Sequence, residues 1–162
     1  MHFEGTLRIL APRQKVWAFL TDPEAVTQCA PGLETLEILA PNEKFRVVTA
    51  VGFGTIKARF TTDVEWLGLE PPRLAQMKFH GTAAGSAVDG ATTMTLSEPE
   101  AGTTELAWSA EVGLAGTLAS VASRLMGGVA KKLTDAFFAK VRKKIQGKKA
   151  QAKKRKKQAP LL

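Results

Sequence analysis

Polarity alternates residue by residue from the start of the chain. In HFEGTLRI, Phe3, Gly5, Leu7 and Ile9 share one face, and His2, Glu4, Thr6 and Arg8 share the other. That is the signature of a half-buried strand. The period then changes. In APRQKVWAFLTDPE, Val16, Trp17, Phe19 and Leu20 form a short apolar stripe. Pro12 suits a first helical position, and the residue before Pro23 resists the helical conformation, so the helix stops there. Asp22 can cap a second short helix from Pro23 to about Ala30, and APGLE turns the chain.

From residue 34 the period is two. The clearest case is GTIKARFTTDVEWLG, where Ile56, Ala58, Phe60, Thr62, Val64 and Trp66 alternate with Lys57, Arg59, Thr61, Asp63 and Glu65. A strand of about twelve residues spans ~40 Å, and a strand that long usually curls around something. Further strands are expected at Glu34–Leu39, Glu43–Val51, Arg73–Gly81, Ser86–Ser97 and Thr104–Gly113. With no helix between them, they imply one antiparallel meander. The last pattern is helical. Leu118, Val121, Leu125, Val129, Leu133, Phe137, Val141 and Ile145 recur at three- and four-residue steps. This predicts an amphipathic helix over Thr117–Ile145, ended by Gly147. The order predicts an α+β domain over residues 1–146, in which a curved antiparallel sheet wraps a long C-terminal helix, with two short helices after the first strand.

Charge divides the chain. The 162 residues carry 23 basic and 15 acidic side chains, net +8. All 15 acids precede residue 140, where they meet 12 basic residues, so the body is mildly acidic. The remaining 11 basic residues lie between Lys140 and Lys157. Residues 147–162 therefore read as a disordered polybasic tail with almost nothing to bury. A mildly acidic body argues against a nucleic-acid surface on the fold itself. The tail has no aromatic residue among its charges, as single-strand binding would favour. Its other readings are an acidic protein, a solvated tail, and an anionic membrane, which Lys148, Lys149, Lys153, Lys154, Arg155, Lys156 and Lys157 would contact. The N-terminal stretch does not read as a signal peptide, and no run approaches the ~20 apolar residues of a membrane span. The location implied is cytoplasmic, peripheral at the inner membrane face.

Four stretches carry a family resemblance: CAPGLETLE, GTIKARFTTDVEWLGLEPPR, GTAAGSAVDGATTMTLSE and GTLASVASRLMGGVAKKLTDAFFAKV. Together with the opening strand and APRQKVWAFLTDPEAVTQCAPGLETLE, they resemble the carbon monoxide dehydrogenase G-subunit (CoxG) family. That family lies within the START-like (SRPBCC) helix-grip superfamily. The resemblance covers about residues 1–143 and leaves out the tail. It implies a fold enclosing an apolar cavity. It also implies an accessory, non-enzymatic role beside a molybdenum hydroxylase of the carbon monoxide dehydrogenase type, which such proteins attach to the membrane. It offers no catalytic motif to carry over.

The residues agree on catalysis. No nucleophile elbow, phosphate loop or metal-ligand spacing is present, and no cofactor is implied. Cys29 reads as a small buried hydrophobe, and His80 as a solvated side chain on the face opposite Met77 and Phe79. The stronger candidate is a cavity bounded by Phe60, Met77, Phe79, Met94 and Trp108 from the strands. Leu118, Val121, Leu125, Met126 and Val129 would close it from the helix. The bland alternative is a packed core. Methionine adapts to irregular guests, and Gly127-Gly128 inside a helix needs either close packing or a weak point to explain it. An apolar small molecule, a quinone or a lipid, is the expected ligand. The competing readings are a cyclase- or hydrolase-type enzyme of the same fold and a nucleic-acid binder acting through its tail. GTAAGSAVDG can be read as a gate or as an ordinary hairpin.

Overall fold

The alternating start forms strand β1 (His2–Ile9) in a computed structural model of the protein. The structure describes the backbone of residues 1–53 and 55–158 and most side chains within them, but not the side chains at 53, 56, 118, 121–126 and 148–158. After β1 come α1 (Arg13–Leu20), α2 (Pro23–Val26) and a 3-10 turn (Thr27–Cys29). Strands β2 (Leu33–Ala40), β3 (Lys44–Phe53), β4 (Ile56–Glu70), β5 (Leu74–Ala83), β6 (Ser86–Glu100) and β7 (Thr103–Gly116) follow, and then α3 (Thr117–Gln158).

Local chemistry explains the punctuation. The Asp22 carboxylate accepts from the Glu24 N–H at 3.0 Å, capping α2, whose first residue is Pro23. The Glu98 carboxylate accepts from the Arg13 N–H at the start of α1, placing negative charge at a helix N-terminus. GTAAGSAVDG is mostly strand: only Ala84 and Gly85 turn, with Gly85 at φ 70°, and the Thr117 N–H donates to the Gly85 carbonyl at 2.9 Å. The hairpin reading holds, and the turn is tied to the start of α3.

The sheet has seven antiparallel strands in the order β1-β7-β6-β5-β4-β3-β2. It is a meander from β2 to β7, with β1 returning to pair with β7 along its whole length. One sheet face is charged and wet. Glu37, Arg46, Asp63, His80 and Asp89 fall opposite one another on successive strands. Arg46 Nε donates to Asp63 at 2.7 Å and holds that carboxyl below its usual range. His80 lies within β5, and its Nδ1 meets Asp89. The other face curves over the helix.

The fully buried core sits at one end of this grip. Ile9, Val16, Leu96, Leu106 and Val141 are 0–2% exposed and pack with Leu20, Cys29 and Ile145. Thr104, also buried, donates to the Ala11 carbonyl at 2.7 Å. Three polar contacts clamp α3 to the same end. Arg142 Nη2 donates to the Arg8 carbonyl at 2.9 Å, the Leu10 N–H donates to Gln146 Oε1 at 2.8 Å, and Lys144 Nζ donates to Gln28 at 3.0 Å.

One expectation is corrected. The helix does not end at Ile145 and Gly147: α3 runs on through the basic segment to Gln158. Lysine, arginine, alanine and glutamine are strong helix formers, and a single glycine costs only about 1 kcal/mol. The first proline after Gly147 is Pro160, which with residues 159–162 falls outside the described residues.

Candidate functional site

Beyond the packed end, the sheet and α3 leave space between them. Between them is a cavity of about 530 Å³, within the size range of small-molecule sites. The strands give it Phe3, Phe45, Val64, Trp66, Ala75, Met77, Phe79, Met94 and Trp108, among others. Leu20, Val26, Thr27, Ala30 and Pro31 close one end, and Ala130, Leu133, Thr134, Phe137 and Phe138 of α3 form the opposite wall. No charged side chain is among the described lining residues; its polar side-chain groups are the hydroxyls of Thr27, Thr92 and Thr134 and the indole N–H groups of Trp66 and Trp108. The Thr27 hydroxyl is already used, donating to the Pro23 carbonyl.

Two glycines shape the space. A methyl group placed on Gly90 would fall 2.2 Å from Phe79 Cζ, and one on Gly5 would fall 2.8 Å from Trp108 Nε1. The two rings thus lie down on the sheet in seats that only glycine leaves open. Trp108 also stacks at a tilt on Phe138, with centroids 5.9 Å apart, and Phe138 meets Phe137 edge to face at 5.0 Å.

Four of the ten side chains expected at the cavity line it: Met77, Phe79, Met94 and Trp108. Phe60 is buried, at 8% exposure, on the same strand face but away from the space. Val129 is half-buried and leaves the lining to its neighbour Ala130. Leu118, Val121, Leu125 and Met126 have side chains outside the described residues. The helix residues that do line the cavity, at 130, 133, 134, 137 and 138, continue the same amphipathic stripe two to three turns further along. The α1-to-β2 residues carry no periodic signal, because they reach the cavity only through the tertiary path of the chain.

Among the described residues, nothing packs closely on Gly127 or Gly128. A Cβ added to either would meet no described atom within 4 Å. Alanine at either position is therefore expected to stabilise the protein by up to about 1 kcal/mol through helix propensity alone. Urea denaturation measures this, and a loss of stability would show an unseen neighbour.

Cys29 is fully buried in the core, and burial pushes its thiol pKa up, against a smaller downward pull from Lys144 and Lys140. This is an inert thiol. Among the described residues no His, Cys, Asp and Glu side chains cluster in a way that could hold a metal ion.

Fold and cavity together define the class: a START-like helix-grip protein. The chain belongs to the carbon monoxide dehydrogenase G-subunit (CoxG) family, whose model matches residues 5–146. Solved structures agree on the fold. A conserved protein from Geobacillus kaustophilus superposes with a TM-score of 0.84 at 24% identity, covering 91% of this chain and 96% of that one. The Zhui aromatase/cyclase from Streptomyces sp. R1128 gives 0.63 at 16% identity, covering 90% and 95%. A START superfamily protein from Mycobacterium smegmatis gives 0.61 at 15% identity, covering 86% and 96%. No curated protein matches the sequence. No described helix is long and apolar enough to cross a membrane.

Proposed function

We propose that this protein is a non-enzymatic accessory carrier that holds an apolar small molecule in the cavity. It works at the inner membrane face beside a molybdenum hydroxylase of the carbon monoxide dehydrogenase type. The observation that carries the reading is the cavity itself: about 530 Å³ of space whose described wall has no charged side chain. Surface of that kind loses dispersion contacts when empty and gains them from an apolar guest. The enzyme partner rests on the family alone. Such an enzyme must pass electrons onward to a membrane carrier, so a prenylated quinone is a chemically fitting guest, and a lipid is the other. The basic residues from Lys148 to Lys157 would supply a reversible hold on anionic lipid.

The second reading is a cyclase- or hydrolase-type enzyme, favoured by the likeness to the Zhui aromatase/cyclase. Such chemistry calls for a general acid or base in the cavity. The described lining supplies threonine hydroxyls and two indoles instead, which favours carriage.

Native mass spectrometry of gently purified protein tests the proposal. A bound apolar molecule of a few hundred daltons is expected. Its readdition to stripped protein at a hundredfold excess over Kd adds about 2.7 kcal/mol, seen as a rise in Tm of roughly 5–10 °C for a chain of this size. Protein that carries no guest and shows no Tm response to any apolar compound would overturn the reading.

A further inference from the structure

A second space of about 490 Å³ lies beside the cavity, between β1 and α3. The two share Phe3, Trp108, Ala130, Thr134 and Phe138, so the stacked pair Trp108–Phe138 stands at their seam. Their chemistry differs sharply. The cavity has no charged residue in its described wall, whereas the groove is bordered by Glu4, Lys131, Asp135 and Arg142. Three of these charges have a charged or ionisable partner, and the fourth, Arg142, is held by a backbone carbonyl. Lys131 Nζ meets Asp135 at 2.8 Å, Arg142 donates to the Arg8 carbonyl, and Glu4 meets His2 Nε2 at 3.3 Å. Lys131, Asp135 and Glu4 are thus paired, and Arg142, with no acid partner among the described residues, stands eight residues, about 12 Å of helix, beyond Thr134.

The free groups at the seam are neutral. The Trp108 indole N–H and the Thr134 hydroxyl have no hydrogen-bond partner among the described residues. Of the Trp108 ring, Nε1 is the atom that would lie nearest a methyl on Gly5, and Gly5 borders the groove. Trp108 thus walls both spaces, and the Nε1 side of its ring lies over Gly5. An indole N–H can only donate, so its natural partner is a hydrogen-bond acceptor.

We infer that the groove is the head-group end of the ligand site. The ligand is a neutral amphiphile whose apolar body fills the cavity and whose carbonyl-type head accepts from Trp108 Nε1, with Thr134 beside it. This rests on the cavity reading above and adds polarity and direction to it: the body lies inward and the head toward β1. One neutral hydrogen bond contributes roughly 0.5–1.5 kcal/mol, or about 2- to 12-fold in affinity.

The test uses two probes on the full chain. Diphenylhexatriene, a hydrocarbon fluorophore, reads the cavity alone, and 2-tridecanone, competing with it, reads the head seat. In Trp108→Phe and Thr134→Val, the affinity for the ketone relative to the hydrocarbon should fall about 2- to 12-fold. An unchanged ratio in both variants overturns the head seat and leaves the cavity reading standing. Wild-type protein that binds neither probe overturns both. If Trp108→Phe does not fold, the indole N–H resonances of the wild type decide. One of the three should move downfield with the ketone and not with diphenylhexatriene, and the absence of any such shift overturns the proposal.

Discussion

Truncation after Gly147 is expected to release the protein from anionic bilayers while leaving its fold and cavity intact. The segment removed carries seven lysines and arginines and no acid. Near an anionic leaflet each basic residue contributes about 1 kcal/mol, so engaging even three of them is worth more than a hundredfold in binding. The attraction decays within a Debye length of about 8 Å at physiological salt, so binding should fall steeply with added salt and vanish on neutral lipid. The fold should not notice. Among the described residues, the last fully buried ones of α3 are Val141 and Ile145, and the clamps from Arg142, Lys144 and Gln146 all precede the cut. Sedimentation with liposomes, with duplex DNA of matched charge as competitor, measures the effect. Unchanged liposome binding by the truncated chain sinks the membrane-address reading. Release of the intact chain from liposomes by trace DNA would favour nucleic acid as the tail's partner.

Gly90→Ala is expected to cost about 1–3 kcal/mol, the usual range for overpacking, and to close the cavity. The new methyl would sit 2.2 Å from Phe79 Cζ and 2.7 Å from the Glu111 carbonyl oxygen. The backbone oxygen cannot withdraw, so the methyl and the ring must both shift, and the ring's open direction is into the cavity. Binding of an apolar probe should weaken at least tenfold. Gly113→Ala is the matched control: it adds the same methyl to a neighbouring strand, where the nearest atom is the Asp89 carbonyl oxygen at 3.9 Å. Thermal denaturation and probe titration of the two variants separate the cases. If they behave alike, Phe79 does not depend on its glycine seat.

Much of the architecture is legible in the chain because it rests on local periodicity. Every strand of the meander and the face each presents follow from alternation, which is why Met77, Phe79, Met94 and Trp108 can be placed inward from the residues alone. What is not legible is set by distant partners. The pairing of β1 with β7 joins residues about a hundred positions apart. Phe60 shares the inward face with Val64 and Trp66, and nothing in the alternation says that the cavity takes the latter two and leaves Phe60 in packed surroundings. The helix stripe is plain in the sequence, but its position along the cavity depends on where Val141 and Ile145 lock into the core. Gly5 and Gly90 look like flaws in strands until the rings lying on them are seen. The continuation of α3 past Gly147 is hidden because like-charge repulsion and the helix-forming strength of the same lysines point in opposite directions.

The clamp on α3 has a mechanical meaning. Between Val141 and Gln146 the helix is bolted to the core end of the grip, and an arm runs from the bolt in each direction. One arm runs back from the bolt to Gly127 over roughly 21 Å, roofing the cavity, and the other runs forward to Gln158 over roughly 18 Å, carrying the cationic load. Whatever grips the forward arm therefore sets the heading of the whole body. The roof points away from that grip along one axis, so the pose of the protein against any surface is written in a single helix.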